Sequence, residues 1–103
     1  MADVRKLRGT RTGRSFEDTL ERHDIRPGGA SAVALALAIG RLRKAEALPV
    51  PGDHHVMLWG AEKMWAHRFV QSPKPLWLYY RRDRDGSDAF VDLVAVYDYL
   101  HEM

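Results

Sequence analysis

Two apolar stretches in the C-terminal half of the chain predict neighbouring strands of one sheet. Apolar side chains fill successive positions in residues 76–80 and in most of residues 89–96. The segment between them is charged and contains Gly86, which is typical of a hairpin loop. Because both stretches are apolar on both faces, we expect them to lie in the middle of the sheet. The rest of the chain must then cover at least one face.

Helical spacing precedes these strands. In residues 31–44, Leu35, Ile39 and Leu42 recur one turn apart, and alternate alanines leave almost no polar face. A helix that is apolar all round needs cover on more than one side. We expect the sheet on one side and either the first helix or a second protein on the other. The sequence from Ser15 to Asp18 resembles a capping box and predicts a first helix with Phe16 facing Leu20.

The remaining segments complete an α+β fold. Residues 48–53 read as a proline-rich loop, residues 55–59 and 64–70 as strands, and residues 4–7 as a weak first strand. Short connections between consecutive strands predict an antiparallel meander. We therefore expect two N-terminal helices packed on a four-stranded antiparallel sheet, or a five-stranded one if the first strand joins it. We expect the chain to divide into a basic segment over residues 1–14, which is either mobile or forms that strand, and a single domain over residues 15–103.

Composition limits the functional classes. The 103 residues are 46% hydrophobic and 29% charged, with no cysteine, so disulfides, thiol nucleophiles and thiolate metal sites are excluded. Neither a membrane-spanning run nor a secretory signal is recognisable, and we expect a cytoplasmic protein. The net charge is only +2, yet arginines cluster in residues 5–14, 41–44 and 81–84. Such clusters either bind a polyanion or form solvated surface.

The order of elements and several short motifs resemble the RelE/ParE superfamily of toxin–antitoxin systems, most closely its RelE- and YafQ-like pattern. The matching residues span roughly positions 15–99 and are Phe16, Leu48-Pro49, Asp53-His54, Leu58-Trp59-Gly60, Trp65-Ala66-His67-Arg68 and residues 76–81 and 91–96. The resemblance implies a toxin neutralised by a cognate antitoxin. RelE-like members cleave messenger RNA on the ribosome without a metal or other cofactor, whereas ParE-like members inhibit DNA gyrase. A non-catalytic RNA- or protein-binding module with the same fold is a third possibility.

The resemblance also implies candidate catalytic residues. Arg68 falls on an aromatic-x-x-Arg position, although it could instead pair with Asp92 or Glu62. His54 matches an Asp-His position. Tyr99 stands where related toxins carry an arginine or histidine as general acid, and His101 could replace that group. Strand alternation sends His67 to the face opposite Arg68, so we interpret His67 as structural.

Four cations are predicted to contact phosphates beside this site: Lys74, Arg81, Arg82 and Arg84. Aromatic residues interleave with them, as on base-stacking surfaces. The histidines at 54, 55, 67 and 101 follow no zinc-binding spacing, so we predict no metal site. The apolar second helix is the expected contact for the antitoxin or for a second copy of this chain.

Overall fold

The computed structural model describes residues 7–58, 62–82 and 89–101, and these residues form an α+β domain. Two helices and a five-stranded, mostly antiparallel sheet follow each other along the chain. The elements are β1 (Gly9–Thr12), α1 (Arg14–Arg22), α2 (Ala30–Lys44), β2 (His54–Leu58), β3 (Glu62–Val70), β4 (Leu76–Arg82) and β5 (Phe90–Tyr97). The sheet order is β1-β5-β4-β3-β2. Strands β2 to β5 form the predicted antiparallel meander, and β1 runs parallel to β5.

The central position predicted for β4 and β5 is confirmed, since each has a neighbouring strand on both sides. Their side chains contribute to two hydrophobic layers. On one face, which we call the helix face, Leu78 and Tyr80 pack with Phe16 of α1 and Leu42 of α2. On the other face lies a smaller cluster composed of Val56, Met64, Ala66, Tyr79, Val94 and Ala95. Leu100 packs against that cluster from the C-terminal segment, so we call this side the tail face.

The first strand lies later in the chain than predicted. Leu7 precedes the strand and is 67% exposed, and residues 4–6 of the prediction lie outside the described residues. Strand β1 forms in a Gly/Thr/Arg segment that has no apolar pattern. It forms there because its backbone pairs with the edge of β5. The Gly9 N–H donates to the Ala89 carbonyl at 2.9 Å. A Cβ on Gly9 would lie 2.6 Å from the Phe90 ring, so a larger residue here would require that ring to shift.

The capping-box prediction for α1 is wrong. The helix begins at Arg14, directly after β1, so its N-cap is Gly13 and Ser15 already lies in the first turn. The predicted apolar face is present, since Phe16 is buried and Leu20 packs against the same cluster. Thr19 anchors the helix to the sheet, because its hydroxyl accepts the Val96 N–H at 2.9 Å and donates to the Phe16 carbonyl at 2.9 Å. The orientation of α1 is therefore set by burial and by Thr19.

The second helix matches its prediction closely. Leu35, Ala38 and Leu42 are buried against the sheet, while Val33 and Leu37 remain 55% and 60% exposed. Arg8, 2% exposed, holds the C-terminal end of the helix. Its guanidinium donates to the carbonyls of Leu42 at 3.1 Å and Glu46 at 3.3 Å, and also to the Ala45 carbonyl.

Among the described residues, neither helix has the length and hydropathy required to cross a membrane.

Candidate functional site

The four predicted catalytic residues all belong to the tail face of the sheet. On β3, Arg68 follows Met64 and Ala66 at the two-residue spacing of one strand face. On β2, His54 is directly opposite Ala66 in the antiparallel register. Tyr99 and His101 belong to the C-terminal segment that crosses this face, residues 98–101, which we call the tail. The helices cover the opposite face, so these side chains share one accessible surface.

Arg68 is exposed on this surface and held by an aromatic ring. Its guanidinium carbon lies 5.6 Å from the centre of the Trp77 ring, which is cation–π range. One terminal nitrogen donates to the Gln71 carbonyl at 3.2 Å. Within the described residues it has no carboxylate partner, and Asp92 is instead bound by Arg11 and Arg81. The Arg68 guanidinium is therefore exposed on the tail face with hydrogen-bond donors available.

His54 lies diagonally across from Arg68. Because His54 pairs with Ala66 and Arg68 is two residues further along β3, the two residues are diagonal neighbours about 7–8 Å apart, with their Cβ atoms somewhat closer. A phosphodiester can contact both side chains over this distance. The neighbouring His55 points to the helix face, where its ring lies 5.7 Å from the Trp65 ring. Only the first of the two histidines can act on the tail face.

The tail adds an aromatic cluster to the same surface. The Tyr97 and Tyr99 ring centres are 5.2 Å apart, and the Tyr99 and His101 ring centres are 4.7 Å apart. Tyr79 fixes the tail backbone, because its hydroxyl donates to the Tyr99 carbonyl at 2.8 Å and accepts the His101 N–H at 2.9 Å. The His101 carbonyl in turn accepts the Met57 N–H of β2 at 3.1 Å. The tail is thus held against the sheet, while Tyr99 is 46% exposed.

Raising the pH from 10 to 12 is expected to release the tail. Burial raises the pKa of Tyr79 to about 12, whereas an unfolded tyrosine ionises near pH ~10. The folded pKa is the higher one, so the stability that the neutral phenol provides is complete below pH ~10 and is lost as the pH rises through 12. Ionisation also removes the proton that Tyr79 donates to Tyr99. Urea unfolding of the wild type and of Tyr79→Phe across this range measures the effect.

At pH 8 the wild type should exceed Tyr79→Phe by about 1 kcal/mol in free energy of unfolding. That difference should fall to zero or below at pH 12. A difference that stays constant from pH 8 to pH 12 would show that this phenol does not control the tail.

The predicted phosphate-binding cations have mixed surroundings. Lys74 contacts Asp98 at 2.7 Å, and this ammonium holds the pKa of Asp98 below its usual value. Arg81 contacts Asp92 at 3.2 Å. Arg82, at the end of β4, is exposed, and Arg84 lies outside the described residues. Lys74 and Arg81 are therefore already paired with carboxylates. A phosphate would have to displace these carboxylates or bind beside them.

A buried polar network on the helix face was missed by the sequence analysis. The Asp53 carboxylate lies 2.7 Å from His67 Nδ1 and accepts the Tyr80 hydroxyl. The Tyr80 oxygen also accepts the Val50 N–H at 3.2 Å. Burial, followed by the contact with Asp53, raises the pKa of Tyr80. The side chains of Asp53 and His67 are 5% and 11% exposed, and His67 Nε2 has no partner among the described residues.

This network buries His67, which agrees with its interpretation as a structural residue, and explains its place in the fold. Each of two members directly precedes a tail-face residue: Asp53 precedes His54, and His67 precedes Arg68. The network therefore fixes where both candidate residues emerge on the opposite face. The three partners are 14 and 27 residues apart in sequence, so no local motif could reveal them.

His54 and His67 occupy opposite faces of the sheet. In the described part of the chain no three His, Cys, Asp or Glu side chains group closely enough to hold an ion.

Comparisons with protein-family models, with curated proteins and with solved structures found no match to this chain.

Proposed function

We propose that the tail face binds single-stranded messenger RNA and cleaves it, and that the protein is a RelE/ParE-like toxin acting on the ribosome. One observation carries the proposal. Arg68 and His54 were selected from sequence motifs, and Tyr99 and His101 as candidates for a general acid where the family's usual residue is missing; all four share the face that the helices leave open. The observed order β-α-α-β-β-β-β also agrees with the element order on which the resemblance rests.

The chemistry follows from the side chains. A neutral imidazole, His54, accepts the proton of a ribose 2′-hydroxyl, and the 2′-oxygen forms a bond to the adjacent phosphorus. Arg68 donates hydrogen bonds to the phosphate oxygens as negative charge builds on them. The bond to the 5′-oxygen then breaks, and His101 or Tyr99 supplies the proton to that oxygen. The products are a 2′,3′-cyclic phosphate and a 5′-hydroxyl, so atoms and charge balance with these residues alone.

The aromatic cluster supplies a second element of RNA recognition. Proteins bind single-stranded RNA by stacking unpaired bases on tyrosine, histidine and tryptophan rings, each base contributing about 1–3 kcal/mol. Exposed Tyr99 and His101 provide such rings beside Arg68. A base on the tail would place its neighbouring phosphate toward the arginine.

Inducible expression in bacteria tests the proposal. Wild-type chain is expected to arrest growth and translation, with new 5′-hydroxyl ends mapped within messenger RNA. Arg68→Ala should relieve the arrest and lower the frequency of these ends at least tenfold, because a charged donor to the phosphate is lost. Arg14→Ala, an exposed arginine of α1, is the matched control and should remain toxic at equal protein level.

Full toxicity of Arg68→Ala would exclude the tail face as the site. An SOS response with intact messenger RNA would favour gyrase inhibition, the alternative that is supported by the carboxylate partners of Lys74 and Arg81. Those ion pairs reduce the cationic character of this surface. No growth effect, with RNA retained by the purified protein, would favour the non-catalytic module.

A further inference from the structure

A cavity opens between the two helices and the connection that joins β3 to β4. Its volume is about 680 Å³, and its walls come from the end of α1, the start of α2 and residues 69–76. The lining on α2 spans only residues 30–34, about 6 Å along the helix axis. A partner helix would need a groove of about two turns. The cavity therefore suits a compact molecule, and its volume lies in the range of small-ligand sites, about 300–1,000 Å³.

The floor of this cavity is apolar, and the space above it exists because α2 begins with small side chains. Phe69 and Leu76 form the floor, and both belong to the core cluster on the helix face. On the α2 side the lining includes Ala30 and Ala34, whose methyl groups leave the space that larger side chains would fill. The cavity therefore offers an aromatic ring and a branched aliphatic side chain to the apolar part of a ligand.

Basic side chains stand at the mouth of the cavity, and they are Arg22, His23 and Lys74. Lys74 is paired with Asp98 at 2.7 Å. Asp24, an acidic member of the lining, is paired with Arg26 at 2.6 Å. Arg22 has no such partner, since it forms no ion pair within the described residues. Its guanidinium is therefore an uncompensated positive charge beside an apolar floor.

We propose that this cavity binds a small organic anion whose apolar part is a flat ring. The ring would lie on Phe69 and Leu76, and the anionic group would accept hydrogen bonds from Arg22. A guanidinium presents paired donors that match either a carboxylate or a phosphate. Burial of the ring provides affinity, and the charge selects anions over neutral molecules of the same shape. The inference does not rest on the proposed RNA chemistry, because the floor of the cavity belongs to the helix face.

An NMR titration of the full chain with three phenyl compounds tests the proposal. Benzoate and phenyl phosphate carry the two candidate anionic groups, and benzyl alcohol is their neutral counterpart. At least one anion is expected to bind with a Kd of about 1–10 mM, as befits a ligand of this size. It should bind at least tenfold more tightly than benzyl alcohol, and the tighter of the two anions identifies the charged group. Amide shifts should be confined to the residues that line the cavity.

Two variants at exposed positions of the lining separate charge from shape. Arg22→Ala should lower the affinity for the anion at least tenfold and change that for benzyl alcohol less than twofold. A general loss of structure would weaken both. Ala30→Trp should block all three compounds, because the indole fills the mouth. Arg14→Ala removes another exposed arginine of α1 and should change no affinity more than twofold.

Four results would overturn the proposal. These are the absence of a saturable shift with either anion, equal affinity for the anions and benzyl alcohol, and unchanged anion binding in both Arg22→Ala and Ala30→Trp. The fourth is a set of shifts centred on exposed Val33 and Leu37 instead of the cavity. Circular dichroism of each variant confirms folding, and either variant alone is sufficient to decide. None of these results depends on whether the chain arrests growth.

Discussion

Replacing Arg8 with methionine should lower the free energy of unfolding by about 3 kcal/mol, since hydrogen bonds from a charged donor contribute about 1.5–3 kcal/mol each. Two effects oppose each other. Removing a buried guanidinium relieves its desolvation cost, which can make replacement by an apolar residue neutral. Here, however, the Leu42, Ala45 and Glu46 carbonyls at the end of α2 would lose their donor. These carbonyls have no further helical turn to accept from, so the loss of the donor dominates.

Urea unfolding with two comparison variants measures this effect. Arg8→Lys keeps the charge near the negative end of the helix dipole but cannot reach three carbonyls, so about half of the loss is expected. Arg14→Met removes an exposed arginine and should change stability by less than about 0.5 kcal/mol. If Arg8→Met and Arg14→Met were equally stable, the guanidinium would not be what holds the C-terminal end of α2.

Asp53→Ala should destabilise the fold by about 3 kcal/mol, because it leaves two buried donors without an acceptor. His67 Nδ1 and the Tyr80 hydroxyl both contact this carboxylate. Tyr80→Phe should cost less, about 1–2 kcal/mol, since it removes one of those donors together with the acceptor of the Val50 N–H. The double variant should be less destabilised than the sum of the two, by about 1 kcal/mol or more.

Asp24→Asn is the exposed control for this cycle, because Asp24 has a φ of 54°, which Asn tolerates and Ala does not. Asp24 contacts Arg26 at 2.6 Å, and the two side chains are 73% and 80% exposed. An ion pair in water contributes less than about 1 kcal/mol, so this variant should remain near wild-type stability. Additive effects of Asp53→Ala and Tyr80→Phe would mean that the short contact between them contributes nothing measurable.

The sequence pattern predicted the parts of the fold in which burial sets the structure. Strands β4 and β5 and helix α2 carry long apolar patterns, and each lies within two residues of its predicted bounds. Alternation also placed Arg68 and His67 on opposite faces correctly. These elements are predictable because the period of apolar residues reports directly which side faces a core.

The parts that were missed depend on contacts between distant residues. Strand β1 has no apolar pattern and forms by backbone pairing with a strand some 80 positions later. The polar signal at Ser15 was misread because the chain enters α1 directly from β1, which makes Gly13 the N-cap. Asp53, His67 and Tyr80 meet only after β2, β3 and β4 have assembled. The carboxylate partners of Lys74 and Arg81 were invisible for the same reason.

The segment from Ala45 to Asp53 joins the end of α2 to the start of β2. The Val50 carbonyl accepts the Asp53 N–H at 3.0 Å, and the Val50 N–H donates to the Tyr80 hydroxyl, which in turn contacts Asp53. Asp53 is followed immediately by His54 on the tail face. The position of His54 therefore depends on the connection that leaves α2, and a substitution that loosens this connection is expected to displace His54 without contacting it.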